Sequence, residues 1–180
     1  MDVGSAGGDA ALGTKVNAAG AHEWTATFGS TAVDDGWSVA VDGSGNGYTS
    51  GYFHGTVNFG AGNVTAAGNS DAYVTKLNAA GAHQWTTTFG GTSAEFGRRV
   101  AVDGSGNVHV TGYFKGTVDF GAGNVTAPGV DSDVFVVKLN SAGQAVVAPG
   151  GGGGGGTPAP PPPARCPWPT AAYAYPPGRV

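Results

Sequence analysis

Residues 39–46 read VAVDGSGN, and residues 100–107 read VAVDGSGN again. Each copy sends a short Val-Ala-Val run into Asp-Gly-Ser-Gly-Asn. The aspartate can accept hydrogen bonds from backbone N–H groups of its own loop, and the glycines are free to take positive φ. The asparagine tolerates a left-handed or bridging position at the loop's end. This chemistry predicts hairpin turns at 42–46 and 103–107, with Gly43, Gly45, Gly104 and Gly106 supplying the unusual dihedrals.

The two loops are part of a longer repeat. A shift of 61 residues aligns 15–68 with 76–129 without a gap, and 37 of the 54 aligned positions are identical. KVNAAGAHEWTATFG becomes KLNAAGAHQWTTTFG, and GYFHGTVNFGAGNVTAAG becomes GYFKGTVDFGAGNVTAPG. A third copy starts one residue late, where SDAYVTKLNAAG at 70–81 becomes SDVFVVKLNSAG at 132–143, and it stops near Gln144. A fixed period of this kind signals stacked structural units. Sixty-one residues leave room for a four-stranded sheet with an extra arm.

Within one period the strands can be placed by alternation and by β-branched and aromatic content. Ala72–Asn78 puts Tyr73, Thr75 and Leu77 on one face and Val74, Lys76 and Asn78 on the other. Gln84–Phe89, Arg99–Val102, Val108–Phe114 and the short Thr117–Phe120 follow. No stretch between residues 10 and 148 has a helical period with caps. Trp24 and Trp85 hold one repeat position, as do Phe28 and Phe89, Tyr52 and Tyr113, and Phe53 and Phe114. Aromatics held at one period predict a packing layer between successive sheets. The fold class expected is an all-β repeat.

Composition limits the functions. The 12 acidic residues all lie before residue 149, beside six of the eight basic ones, and Arg98–Arg99 is the single basic pair. A nucleic-acid surface needs clustered Lys and Arg, so none is expected. Cys166 is the only cysteine, which rules out an intramolecular disulfide. No run approaches the 18 apolar residues of a membrane-spanning helix, and the first residues lack the basic start and apolar run of a secretory signal.

Candidate chemistry is sparse. Asp42, Ser44 and Asn46, with Asp103, Ser105 and Asn107, offer alternating oxygen ligands and are the weak candidates for calcium. The full calcium loop demands more carboxylates and a terminal bidentate Glu, so a structural turn is the favoured reading. His22, His54, His83 and His109 show no zinc spacing. No nucleophile elbow and no phosphate loop is present. Acid pairs such as Asp34–Asp35 change at the next repeat, where Glu95–Phe96 stands. The expectation is no catalytic residue, no cofactor and no enzyme activity.

DAYVTKLNAAG, HQWTTTFGG, VAVDGSGNVHVTGYFKGTVDFG and DVFVVKLNSAG together resemble the bacterial SBBP-type β-propeller repeat over about residues 8–145. The resemblance implies four-stranded blades around a central axis, in secreted or surface-associated bacterial proteins, most of which have no defined activity. A closed propeller takes about four to eight blades. Two full periods and part of a third therefore imply a β-propeller-like array that is incomplete or open as a single chain. Its missing blades would come from a larger protein or from self-association. The first copy is also eroded: Gly13 stands at the position of Val74, and Gly47 at that of Val108.

From residue 149 the composition changes to seven consecutive glycines and a proline-rich run. The expected organisation is a repeat region at 1–148 and a disordered Gly/Pro-rich tail at 149–180. Function is expected to be structural or interactive, outside the cell or at its surface by resemblance, with an unknown ligand. A carbohydrate-binding or weakly calcium-dependent adhesive module is the alternative, supported if Trp37 and Tyr48 are exposed. An enzyme with a site at the propeller axis ranks third and would need convergent acids there.

Overall fold

A computed structural model of the chain describes residues 10–146, so the tail expected at 149–180 lies outside the described residues. Thirteen strands and no helix occur among the described residues. β1 (Ala11–Val16) and β2 (His22–Phe28) form an antiparallel pair, sheet I. Sheet II has four antiparallel strands in the order β3 (Asp35–Val41), β4 (Gly47–Phe53), β7 (Asp71–Leu77), β8 (His83–Phe89). Sheet III repeats the first three as β9 (Phe96–Val102), β10 (Val108–Phe114) and β13 (Asp133–Leu139).

The extra arm is a three-residue hairpin inserted between the second and third strands of a sheet. It is β5 (Thr56–Asn58) with β6 (Asn63–Thr65) in one repeat, and β11 (Thr117–Asp119) with β12 (Asn124–Thr126) in the next. The arms' second strands carry a single apolar residue each, Val64 or Val125, too little pattern to be read from sequence. The fourth strand of sheet III begins in register, since Ala145 bridges Leu139 as His83 pairs with Leu77. The third repeat therefore continues past Gln144 to Val146, whose N–H donates to the Lys138 carbonyl.

The architecture is all-β, with several small antiparallel sheets of up to four strands and no closed propeller among the described residues. The sheets pack face to face. One core, between sheets I and II, contains Phe28, Phe53, Val57, Phe59, Tyr73 and Leu77. The second, between sheets II and III, contains Tyr48, Ala72, Val74, Phe89, Val100, Val108, Phe135 and Leu139. The alternation read along 72–78 holds: Tyr73 and Leu77 enter one core, Val74 the other. β7 is thus buried on both faces and reads as a near-continuous apolar run.

The turns share one device. Asn17, Asp42, Asn58, Asn78, Asp103, Asp119 and Asn140 each accept, through Oδ1, the backbone N–H groups two and four residues ahead. An Asx side chain satisfies two turn donors that no strand can reach. In the DGSGN turns only the second glycine has positive φ, 79° at Gly45 and 78° at Gly106. Gly43 and Gly104 do not, and no non-glycine residue among the described residues has positive φ. The positive φ expected of those two glycines is corrected, and of the two positions open to Asn107 the left-handed one is not taken. Asn46 and Asn107 act through their side-chain amides, which donate to the aspartate at 2.8 Å.

Candidate functional site: the open sheet faces

The repeat allows each surface to be compared with a buried equivalent. β9 lies on sheet II through Val100, which is buried, and Val102, which is partly buried. They meet a face made by Tyr48, Ala72 and Val74. The equivalents of Ala72 and Val74 on sheet III are Val134 and Val136, exposed by 65 % and 74 %, against 0 % for each of the former. The equivalents of Val100 and Val102 on β3 are Val39 and Val41, exposed by 72 % and 63 %. Both halves of an apolar contact that is closed between sheets II and III therefore stand open at the outer faces of the array. A groove of about 550 Å³ opens on the exposed face of sheet III beside Val134, and a second of about 520 Å³ lies at the β13 edge next to β12.

At one end of the closed contact Trp37, Tyr52 and Phe96 form a ring cluster, with Trp37–Phe96 and Tyr52–Phe96 centroids 5.8 and 5.0 Å apart. Trp37 and Arg98 are repeat equivalents, and each is the extra residue of a β-bulge. Gly36 pairs with Gly51 and Ser38 with Ser50, while Gly97 pairs with Gly112 and Arg99 with Thr111. A bulge breaks the strict alternation of a strand and re-aims side chains. As a result Arg98 and its neighbour Arg99 line the same groove, with Tyr113 and Val134. The Arg98 guanidinium lies 3.9 Å from the Trp37 ring centroid and 5.5 Å from that of Tyr113. Arg98 is thus held by two rings, and Tyr113, expected in a packing layer, is 40 % exposed.

The sequence candidates for calcium sit at the tips of equivalent hairpins. Both oxygens of Asp42 are already acceptors: Oδ1 for the Ser44 and Asn46 N–H groups, Oδ2 for the Asn46 amide and the Tyr48 hydroxyl. Partial burial works against charge on Asp42, but these bonds outweigh it and hold the carboxyl at about 2. Asp103 repeats the pattern, with His109 Nε2 at 3.5 Å in the place of Tyr48. Its carboxyl is held well below the usual range, first by the Asn107 side chain and then by the Asn107 N–H. Ser44 and Ser105 contribute backbone N–H groups to this arrangement. No group of three or more His, Cys, Asp or Glu side chains gathers around a point among the described residues.

Three acids are buried. Asp34 accepts the N–H groups of Ser30 and His54. Its repeat equivalent Glu95 accepts that of Gly91 at 2.8 Å. Asp71, on β7, accepts the Ala67 N–H. Burial pushes the carboxyls of Asp71 and Glu95 up, against the pull of those amides, and the Asp71 charge adds to the rise at Glu95. Such acids pin loops between sheets. In the sequence Asp34 and Glu95 differ in length between repeats, which hides their common burial. The shared role, accepting loop N–H groups, survives that change.

Tyr48 does not support a sugar-stacking surface. It is 1 % exposed, packed near Trp85 and hydrogen-bonded to Asp42. Trp37 is 36 % exposed, with Arg98 over its ring. Comparison with family models matches residues 84–113 to the SBBP β-propeller repeat, a stretch running from β8 through most of β10. Comparison with curated proteins finds no match for this chain. The chain is therefore similar, over one short segment, to a β-propeller repeat, and the structure around that segment is a repeat-built all-β module.

Proposed function

We propose that the chain is a non-catalytic structural or protein-interaction module of β-propeller type, in which each sheet is a blade and the open outer faces are seats for further blades of the same kind. The observation that carries the reading is the exposure of Val134 and Val136, where the preceding repeat buries Ala72 and Val74 completely. Val134, its cross-strand neighbour Tyr113 and Val136 form an exposed apolar patch on one sheet face, the kind of surface that serves interaction. A stacked-repeat architecture gains stability from each neighbour interface and needs its ends covered. The resemblance to secreted and surface-associated repeat proteins supports an extracellular setting.

The groove at this face bears two guanidinium groups and two aromatic rings, not the convergent acids a glycoside-cleaving site would need. That favours interaction over catalysis. Light scattering on the full chain after size-exclusion chromatography tests the reading. Wild type is expected to run as a defined assembly, and Val136→Glu as a monomer with unchanged β-sheet circular dichroism. A wild-type chain that stays a sharply folded monomer at every concentration overturns it.

A further inference from the structure

We infer that the partner of the open sheet III face is the β3 strand of a second copy of this chain, docked head to tail with Arg98 of one copy against Asp35 of the next. The inference rests on the interaction-module reading above and names its partner and register.

Sheets II and III meet in a closed contact within the chain. There β9 supplies Phe96 at one end and Val100 and Val102 along its length, while sheet II supplies Trp37, Tyr52, Ala72 and Val74. The same repeat positions on β3 are Asp35, Val39 and Val41, and on sheet III they are Arg98, Tyr113, Val134 and Val136. All four valines are more than 60 % exposed. Superimposing the closed contact on the two open faces sets valines against valines. At the end where Trp37 meets Phe96 it sets Arg98 against Asp35. An aromatic contact inside the chain becomes a contact between opposite charges at its ends.

This pairing also gives specificity. Were sheet III to meet a β9 strand instead, Arg98 would face Phe96 and remain without an anion. Charge complementarity at an otherwise apolar seam fixes register and partner. Neither Arg98 nor Arg99 has a carboxylate within ion-pair distance among the described residues.

The strand count fits the same arrangement. Sheet I consists of β1 and β2, equivalents of β7 and β8, and the described residues place no strand beside them to cover β3. Sheet III has the equivalents of β3, β4 and β7, and within the described residues its fourth-strand position is occupied by Ala145 and Val146. Seating sheet III of one copy in the sheet I position of the next puts β13 where β1 lies and gives it β2 as its fourth strand. β13 is the stronger version of that strand: DVFVVKL against ALGTKV, with no internal glycine. The described strands of each copy would then make about two blades, and two to four such sets close a ring of about four to eight blades.

Charge reversal on the full chain tests the register by light scattering. Arg98→Asp and Asp35→Arg are each expected to weaken association by at least about tenfold, because like charges then meet at the seam. The double variant Asp35→Arg/Arg98→Asp, and an equimolar mixture of the two single variants, are expected to restore it. Thermal melts of each variant as a dilute monomer establish that it folds. A wild type that does not associate overturns the module reading itself. A wild type that associates, but whose assembly is unmoved by Arg98→Asp or not restored by the double variant, leaves that reading standing and overturns this register.

Discussion

The Trp85 indole N–H donates to the Ser141 carbonyl at 3.1 Å, and Trp24, one repeat earlier, donates to the Ala79 carbonyl at the same distance. Each tryptophan belongs to the outermost strand of one sheet and lies on the Asn-x-Ala-Gly turn of the next. The approach is close: a Cβ on Gly143 would come within 2.6 Å of the Trp85 ring, and one on Gly81 within 2.7 Å of Trp24. Sheet-to-sheet packing is therefore latched at its rim by a directed hydrogen bond as well as by its core.

Removing the latch should separate its two components. Trp85→Phe keeps most of the ring contact and loses the donor, at an expected cost of about 1 kcal/mol. Gly143→Ala both enters the ring's space and forces a side chain into φ +80°, and it should cost more, about 2–3 kcal/mol. Urea denaturation of both variants checks the order. Equal costs would mean that the turn moves freely and the latch contributes only its hydrogen bond.

The two glycines of a DGSGN turn have different roles, and substitution should show it. Gly104 has no positive φ and open space around its Cβ position, so Gly104→Ala is expected to raise stability by about 0.5 kcal/mol by restricting the unfolded chain. Gly106 sits at φ 78°, with only the Ser141 Cβ nearby at 3.6 Å, so Gly106→Ala is expected to lose about 1–2 kcal/mol through the backbone alone. Melting temperatures of the two variants should move in opposite directions.

The turns and the long strands were legible because their signals are local. Asp103 and the residues after it specify a hairpin by themselves, and 72–78 alternates cleanly. The repeat alone also places Trp24 and Trp85 between sheets. What could not be read was the work of bulges and of missing neighbours. Arg98–Arg99 looks like a solvated pair on a regular strand, where adjacent side chains point to opposite faces. The bulge turns both into one groove, and Trp37 makes the place for Arg98. Nor does sequence distinguish Val74 from Val136, since both sit in apolar runs and differ only in whether a further sheet covers them.

Asp42 makes the acid limb of the stability curve predictable. Its carboxyl moves from the ordinary 3.8 down to about 2 in the folded chain. The charged form is thus favoured by folding, and its contribution is complete above about pH 4 and is lost as pH falls toward 2. Asp42→Asn keeps the Oδ1 acceptor and abolishes the titration. The variant should be less stable than wild type at neutral pH, and the gap should shrink as pH falls through that window. Chemical denaturation at a series of pH values would show a constant gap if the charge contributed nothing.

Glu95 carries the opposite sign. Its carboxyl is fully buried and pushed up, first by burial and further by the Asp71 charge, so the folded chain holds that proton more tightly than the unfolded chain does. Stability from this residue is present at low pH and falls as pH rises from the ordinary 4.5 toward the folded value. Glu95→Gln retains an oxygen to accept the Gly91 N–H and removes the buried charge. It is expected to melt above wild type at pH 7 and to converge with it below pH 4.5, with Asp71 supplying what slope remains. A variant that melts below wild type at pH 7 would show that the buried carboxylate holds its loop more strongly than burial and Asp71 oppose it. The two acid variants together then separate a surface turn, stabilised by charge, from an inter-sheet anchor that tolerates it.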